Sequence, residues 1–258
     1  MKKLCALLTL VLLFTGCQTE KKQDVVDALA DGVLTVGLDD TFAPMGFRDD
    51  NNELVGFDID LAKAVGEKLD VEVEFVPIDW AMKETELNSA NIDCICNGYS
   101  ITEDRKKQVA FSEPYLDNRQ IIIVLADSDI NSKDDLSGNI VAVQKESSAL
   151  DAVNADSDFV SSLQDGKCVE FDTNIDCFMD LEAKRSDAIV CDEVLARYVM
   201  KQRGEEKYKV LADDFGVEEY GIGFRLNDTD TVDKVNDAIE QLKDEGAYDT
   251  IYQTWFAK

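Results

Sequence analysis

Apolar runs of strand length alternate with amphipathic stretches through the first half of the chain. The runs at 33–38, 71–78 and 92–96 are either continuously apolar or alternate with polar residues, as strands do. Between them, the apolar positions of residues 59–69 fall on one face of a helix, and residues 82–88 are also expected to be helical. Strand, helix, strand, helix and strand in this order predict a parallel sheet with crossover helices.

The same alternation starts again at residue 140. Strands are expected at 140–143, 168–171 and 188–191, and helices at 149–155, 175–184 and 193–202. An apolar run at 120–125 leads out of the first unit, and a strand at 221–225 and a helix at 232–245 follow the second. Two similar α/β units in one chain predict a fold with two lobes.

The first 31 residues are expected to direct and anchor the protein rather than to fold with it. A basic start precedes an apolar stretch at 4–14, which is too short to span a bilayer as a stable anchor. Residues 15–17 (Thr-Gly-Cys) resemble a lipobox, in which Cys17 is diacylated after removal of a signal peptide over residues 1–16. Residues 17–31 would then be the acylated cysteine and a polar tether. A plain secretory signal is the alternative.

The chain is strongly acidic. It contains 54 Asp and Glu residues against 26 Lys and Arg residues, and its formal net charge is −28. Such a surface repels nucleic acid and anionic lipid, so we expect no nucleic-acid partner and membrane contact only through the lipid anchor. Because histidine is absent, imidazole metal sites and His-dependent triads are excluded. We expect no metal and no cofactor.

Seven cysteines are spread along the sequence without the spacing of a disulfide framework. One leaves with the signal and another is the predicted acyl site, so five remain in the folded part: Cys94, Cys96, Cys168, Cys177 and Cys191. We expect most of them to be small buried hydrophobic residues. A bridge between Cys168 and Cys177 stays an open alternative.

Four polar segments stand where predicted strands end. They are Asp39, residues 98–100, residues 144–148 and Asp192, two in each α/β unit. Ligands of open α/β sheets bind outside the carboxyl ends of the strands. The sequence therefore predicts a ligand site in a cleft between the two units.

Residues 98–105 (Gly-Tyr-Ser-Ile-Thr-Glu-Asp-Arg) end on a cation in an unusual place. A helix is predicted over residues 103–109 with Thr102 as its N-cap, and a helix dipole favours anions in the first turn rather than Arg105. An anion bound beside the free N–H groups of that helix end would explain the arginine. The alternative is that Arg105 pairs with Asp104 or points into solvent.

Several motifs together resemble one protein family. Residues 98–105, followed by 111–115 (Phe-Ser-Glu-Pro-Tyr), are similar to the signature of the family 3 extracellular solute-binding proteins, which are the polar-amino-acid receptors of ABC importers. The resemblance continues at 56–61 (Gly-Phe-Asp-Ile-Asp-Leu) and 220–224 (Tyr-Gly-Ile-Gly-Phe), and it covers residues 32–258. The combination is far more specific than any single motif.

The resemblance implies both a fold and a function. The fold would be the two-lobe, type II periplasmic-binding-protein-like α/β fold, with lobe 1 at 32–123 and 217–258, lobe 2 at 124–216, and two hinge strands between them. A monomeric receptor of this kind, anchored outside a bacterial cell membrane, would deliver a free amino acid to the permease subunits of an ABC transporter without catalysing a reaction. The alternative is an enzyme on the same fold, similar to cyclohexadienyl dehydratases, which need a positioned proton donor or acceptor.

The resemblance also implies a role for each candidate residue. Arg105 would hold the α-carboxylate of the amino acid bidentately with help from Ser100. Asp192 would hold the α-ammonium with the Gly98 carbonyl, although it could instead cap the helix that follows it. Further contacts to the carboxylate from the opposite lobe, and two apolar walls that could equally be core residues, are expected from Ser147, Ser148, Phe42 and Trp80.

The chain departs from the family where the side chain of the amino acid would be selected. Gln144 replaces a lysine of some glutamine receptors, Cys191 stands where those receptors carry histidine, and Glu146 stands where many relatives have glycine. Lys83 could reach the cleft or pair with acids on its own helix, and we favour the pairing. Asp39 could prefer a cation or an amide donor. A neutral polar amino acid, glutamine or cystine, is slightly favoured.

Overall fold

Two five-stranded sheets form the framework of the protein. The structure, a computed structural model, describes residues 28–256. The predicted signal peptide, Cys17 and most of the predicted tether lie outside the described residues. Within residues 28–256, no helix is both long enough and apolar enough to cross a membrane.

The first sheet is built mainly from the N-terminal part of the chain. Its strands are β1 (Val33–Leu38), β5 (Glu72–Pro77), β6 (Cys94–Ile95), β7 (Val109–Phe111) and β13 (Gly223–Arg225), in the order β5-β1-β6-β13-β7. A small sheet beside it contains β2 (Thr41–Phe42), β3 (Gly46–Arg48) and β4 (Leu54–Val55). β1 is parallel to β5 and β6, as predicted, whereas β13 is antiparallel to β6 and β7.

Four helices belong to this lobe: α1 (Phe57–Leu69), α2 (Lys83–Asn88), α7 (Thr229–Asp244) and α8 (Ala247–Phe256). In α1, the side chains of Phe57, Leu61 and Val65 recur every four residues and are almost completely buried. This spacing places them on one face of the helix, and burying each side chain contributes about 1.5–3 kcal/mol. The apolar stripe therefore fixes α1 between β5 and the two C-terminal helices, which it contacts.

The second sheet has strands β8 (Leu116–Leu125), β9 (Val141–Gln144), β10 (Val169–Phe171), β11 (Ala188–Asp192) and β12 (Tyr208–Tyr220), in the order β10-β9-β11-β8-β12. The strand β9 is parallel to β10 and β11, while β8 is antiparallel to β11 and β12. Its helices are α3 (Ser148–Ala155), α4 (Ser157–Ser162), α5 (Asn174–Glu182) and α6 (Glu193–Arg203). The predicted two-lobe α/β fold is confirmed.

Two long strands join the lobes. β8 follows β7 of the first sheet along the chain, and β12 leads back into β13. They pair antiparallel from Leu116 opposite Tyr220 to Leu125 opposite Tyr208. The lobe boundaries predicted at 123/124 and 216/217 fall within these strands and stay a prediction.

One local expectation is wrong, and one long strand was not predicted. The helix predicted over 103–109 is a single 3-10 turn at Arg105–Lys107, because the chain enters β7 at Val109. The long strand β12 is absent from the sequence-based assignment, since its middle is polar and its pairing with β8 is interrupted by irregularities between Val210 and Val217. An edge strand of this kind has neither a continuous apolar run nor regular alternation.

All five cysteines of the folded part are buried and carry free thiols. Cys168 and Cys177 are among them, so no disulfide joins these two residues. The expectation of small buried hydrophobic residues is confirmed, and burial raises the pKa of each thiol.

Candidate functional site

The four segments that the sequence places at strand ends meet between the lobes. Gln144, the last residue of β9, donates from Nε2 to Asp39 Oδ2 at 2.9 Å, and Asp39 directly follows β1. Ser100 of one lobe and Ser148 of the other have their Oγ atoms 2.9 Å apart. These side chains are all buried, so the cleft is a polar interface with little access to solvent.

Arg105 lies in this cleft rather than on the surface, and only 5% of it is exposed. Its guanidinium carbon is 4.6 Å from the centre of the Tyr99 ring, and its nitrogens donate to the carbonyl oxygens of Ser100 at 3.0 Å and Glu146 at 3.4 Å. Asp104 pairs with Lys107 instead, at 2.5 Å. The alternative of a surface arginine is therefore wrong. Two of the five guanidinium N–H groups donate to these carbonyl oxygens. The other N–H groups are donors of the type that binds a carboxylate.

Asp192 ends β11 and precedes α6, but its side chain does not cap that helix. Its Oδ1 accepts hydrogen bonds from Asn118 Nδ2 at 2.6 Å, Tyr220 Oη at 2.7 Å and Gln120 Nε2 at 3.1 Å. Burial and then the nearby charge of Glu218 raise the pKa of Asp192 to about 8. The helix-cap alternative is wrong, and this carboxyl group is held in place by the hinge strands.

Glu218 lies in the cleft but was not among the site residues predicted from the sequence. Its Oε1 accepts from Ser100 Oγ at 2.6 Å and from the side-chain amides of Asn118 and Gln120 at 2.7 Å each. It lies on the unassigned strand β12, two positions before Tyr220. Since alternate residues of a strand share a face, the motif at 220–224 could have led to Glu218 if β12 had been recognised.

Asp39 and Gln144 are both fixed by further partners. The Asp39 carboxylate accepts from the Thr41 backbone N–H at 2.9 Å and from Thr41 Oγ1 at 2.6 Å. Burial raises the pKa of Asp39, and these hydrogen bonds lower it in part. Gln144 Oε1 accepts from Asn174 Nδ2 at 2.8 Å. In this structure Asp39 thus takes an amide donor, one of the two partners that the sequence left open.

The loop at 144–148 keeps a glycine-like backbone even though it has no glycine. Glu146 has φ +53°, in the left-handed region, and its side chain is exposed. Its carbonyl oxygen accepts from Lys83 Nζ at 2.9 Å as well as from Arg105. The Ser147 hydroxyl accepts from Leu150 N–H and so caps α3. The loop therefore presents a backbone carbonyl and the Ser148 hydroxyl to the other lobe.

Lys83 both pairs with an acid on its own helix and reaches the cleft, the two alternatives that the sequence left open. Its ammonium group is 3.4 Å from the Glu84 carboxylate on its own helix, and it also crosses the cleft to the Glu146 carbonyl. It lies 5.0 Å from the Trp80 ring centre and is only 2% exposed. Burial, followed by the Arg105 charge, lowers the pKa of Lys83. Arg105 and Lys83 together make this end of the cleft positive.

The two aromatic candidates are buried in different apolar clusters. Phe42 packs so closely on Gly98 that a Cβ at that glycine would lie 2.8 Å from Phe42 Cε1. Trp80 contacts the Tyr99 ring edge-on, with 5.8 Å between the ring centres. Gly98 also has φ +53°, and its N–H donates to Asp58 Oδ2 at 2.6 Å. Glycine is required there by both conformation and space, and the two apolar walls stay a prediction.

A cavity of about 740 Å³ opens beside the negative end of the cleft. It is bordered by α3 and both hinge strands, and its lining includes Thr102, Asn118, Gln120, Ser148, Asp151 and Glu218. Several of these side chains also contact Asp192 or Glu218. The cavity thus leads from solvent to the carboxyl end of the site.

Two α/β lobes joined by two strands around a buried polar cleft define a two-lobe binding protein. Residues 34–258 match the family model of the bacterial extracellular solute-binding proteins, family 3, and the chain belongs to this family. This match confirms the resemblance seen in the sequence. It also confirms the prediction that the chain is an extracytoplasmic solute-binding protein.

The relatives are receptors for amino acids. The probable histidine-binding protein of Neisseria gonorrhoeae is 32% identical over an alignment of 260 residues, which covers 98% of this chain and 94% of the relative. The L-cystine-binding protein TcyJ of Escherichia coli strain K12 is 29% identical over 227 residues, 87% of this chain and 83% of the relative. A substrate-binding protein of an ABC uptake transporter from Streptococcus pneumoniae, solved with bound histidine, has a TM-score of 0.87 and 34% identity, covering 90% of this chain and 97% of that one.

Proposed function

We propose that the protein binds a free amino acid between its lobes and delivers it to the permease of an ABC importer. The observation that carries this proposal is that a buried guanidinium group, Arg105, and a buried carboxyl group, Asp192, face the cleft from different lobes. A zwitterionic amino acid offers a carboxylate to the first and an ammonium to the second. Ser100, Ser148 and the Gly98 carbonyl would complete the contacts to its head.

The side chain of the amino acid is selected by other residues. Asp39, Gln144 and Lys83 surround the expected side-chain region with polar groups, and Phe42 and Trp80 would supply its apolar walls. Polar amino acids fit such a site, and glutamine and cystine stay the first candidates. Histidine is added because two of the relatives described above are named for it or bind it.

A thermal-shift screen against the common amino acids and cystine tests the function. An amino acid at 100 times its dissociation constant adds about 2.7 kcal/mol to the free energy of unfolding. For a protein of this size the melting temperature should rise by about 5–10 °C. We call the amino acid with the largest shift the reference amino acid. If no amino acid raises the melting temperature, the proposed function is wrong.

The receptor is proposed to be held at the outer face of a bacterial membrane by lipid on Cys17. The sequence of residues 15–17 supports this attachment. Full-length protein produced in a bacterium should fractionate with the membrane and carry the mass of a diacylglycerol group. Cys17→Ser should lose that mass, and an unmodified wild-type N-terminus would exclude the anchor.

Binding without catalysis is the remaining part of the proposal. A dehydratase on this fold would need a proton donor or acceptor beside its substrate. Glu146 and Lys83 are two residues of the chain that could be considered for this role. The side chain of Glu146 is exposed, and the Lys83 ammonium group donates to the Glu146 carbonyl oxygen. Prephenate incubated with the protein should stay intact. Its consumption at a rate that depends on protein concentration would favour the enzyme.

A further inference from the structure

Two acidic side chains meet at the hinge without a cation. Asn118 Nδ2 donates to Asp192 Oδ1 at 2.6 Å and to Glu218 Oε1 at 2.7 Å, and Gln120 Nε2 donates to the same two oxygens at 3.1 and 2.7 Å. Among residues 28–256, no lysine or arginine lies within ion-pair distance of either carboxyl group. Asp192 is buried and Glu218 is half-buried, so two carboxylates this close repel each other, and the pair favours binding of a proton or a cation.

The amide of Gln120 supplies a third acceptor at the same place. Its nitrogen is directed at the two carboxyl groups, while its Oε1 is buried and has no hydrogen-bond partner in the described part of the chain. The residue as a whole is 1% exposed. Buried carbonyl oxygens are normally paired, so this atom indicates a donor that the protein itself does not provide.

We propose that Glu218 and the Gln120 carbonyl oxygen join Asp192 in one site for a primary ammonium group. An ammonium has three N–H donors and one positive charge, which match three acceptors that include two acids. The site rests on the proposed function, because the ammonium is that of the bound amino acid. The adjoining cavity of about 740 Å³, bordered by Gln120 and Glu218, gives the ligand room beside these acceptors.

A proton occupies the pair when no ammonium does. Burial and the Glu218 charge raise the pKa of Asp192, which favours a proton on this carboxyl group when no cation is bound. The other groups facing the pair are Tyr220, Asn118, Gln120, Ser100 and Ser148, none of which is charged near neutral pH. The remaining ionisable residues lining the cavity are acidic: Asp117, Asp151 and Glu219. Arg105 donates to the carbonyl oxygen of Ser100, the residue whose hydroxyl group donates to Glu218. An ammonium that enters the pair therefore displaces a proton.

The experiment is isothermal calorimetry with L-histidine, L-cystine, L-glutamine and L-arginine, each used separately, between pH 6 and pH 8. For the amino acid that binds, wild-type affinity should rise by up to about tenfold per pH unit, because one proton leaves as the ammonium binds. Titrations in two buffers of different ionisation enthalpy should give close to one proton released at pH 7. Glu218→Gln should bind at least tenfold more weakly at pH 8 and release fewer protons.

The matched control is Glu219→Gln, which removes the same charge from a neighbour on the rim of the cavity. It should keep the affinity within about twofold and leave the proton release unchanged. Gln120→Met provides a second variant: it removes the third acceptor and should weaken binding even if Glu218→Gln does not fold.

The outcomes separate the two proposals. If none of these four amino acids binds wild type at any pH and the thermal-shift screen finds no other that binds, the proposed function and this site fail together. If one binds, but Glu218→Gln and Gln120→Met keep wild-type affinity and pH dependence, the amino-acid receptor stands and the three-acceptor site is wrong. Equal losses in Glu218→Gln and Glu219→Gln would also overturn it, since general charge would then explain the effect.

Discussion

The side-chain amide of Gln144 donates a 2.9 Å hydrogen bond to the Asp39 carboxylate, and this bond joins the end of β9 in one lobe to the end of β1 in the other. Both partners are fixed within their own lobes, Gln144 by Asn174 and Asp39 by Thr41. The bond therefore forms only when the lobes approach each other in this relative position. The hydrogen bond between Gln144 and Asp39 therefore depends on closure of the cleft.

Gln144→Leu should weaken binding of the reference amino acid. The change removes a hydrogen bond to a charged, buried acceptor, which contributes about 1.5–3 kcal/mol, so affinity should fall by about 10- to 100-fold. With saturating reference amino acid, small-angle scattering should give the variant the same radius of gyration as liganded wild type. Lys145→Ala is the control, because its interlobe contact with Asp79 is long, at 3.5 Å, and partly exposed. An equal loss in both variants would contradict a special role for Gln144.

The proposed clamp predicts large effects from its two charged ends. Arg105→Met leaves the amino-acid carboxylate buried without its partner, which costs about 3–5 kcal/mol, so calorimetry should show at least 10²- to 10³-fold weaker binding. Asp192→Asn should cost less, because the ammonium keeps a polar acceptor. Lys106→Met, which removes a cation from the exposed side of the same turn, should change affinity by less than about fivefold. If Arg105→Met binds within a few-fold of wild type, the clamp is wrong.

Asp58 should make the stability of the protein depend on pH. Burial raises the pKa of Asp58 to about 7, and the hydrogen bond from the Gly98 N–H lowers it only in part. The folded state then holds a proton that the unfolded state, with a pKa near 3.8, has already lost. The contribution of Asp58 to stability is thus present below about pH 4 and falls as the pH rises to about 7, by at most about 1.4 kcal/mol per unit.

Urea unfolding of wild type and Asp58→Asn at pH 5 and pH 7.5 measures this effect. Asparagine does not titrate, so the free energy of unfolding of wild type relative to the variant should be lower at the higher pH. Other titrating groups are present in both proteins and cancel in the difference. A difference that is the same at both pH values would show that Asp58 is ionised throughout.

The sequence could predict the parts of the fold that depend on local patterns. The apolar run at 33–38 and the one-sided stripe of α1 indicate β1 and α1 because their burial repeats at strand and helix periods. The rule that ligands bind at strand ends assigns Asp39, Gln144 and Asp192 to one cleft from the sequence alone. These residues follow directly from strands that are easy to recognise.

The parts that the sequence missed depend on contacts between distant residues. Glu218 lies on a polar, irregular strand, and its partners Ser100 and Gln120 are about a hundred positions away. Lys83 has acids at Glu84 and Glu86 on its own helix, and only the position of the opposite lobe shows that it also reaches Glu146. Neither relation leaves a periodic signal in the sequence.

Glu146→Gly should make the protein more stable. At φ +53° a side chain with a Cβ costs about 1 kcal/mol, and glycine is free of this cost. Lys83 and Arg105 both bond to the carbonyl oxygen of Glu146, so the backbone contacts survive the substitution, and the affinity for the reference amino acid should stay within a few-fold. The glutamate side chain itself is exposed.

Glu146→Ala separates the effect of backbone strain at residue 146 from the effect of losing the carboxylate. Alanine removes the carboxylate as glycine does but keeps the Cβ and therefore the strain, so Glu146→Gly should be more stable than Glu146→Ala by about 1 kcal/mol in urea unfolding. The greater freedom of glycine in the unfolded chain reduces this difference but should not reverse it. If alanine were equally stable, the loop would be able to leave the left-handed conformation at no cost, and the position of the carbonyl between Lys83 and Arg105 would not be fixed by residue 146.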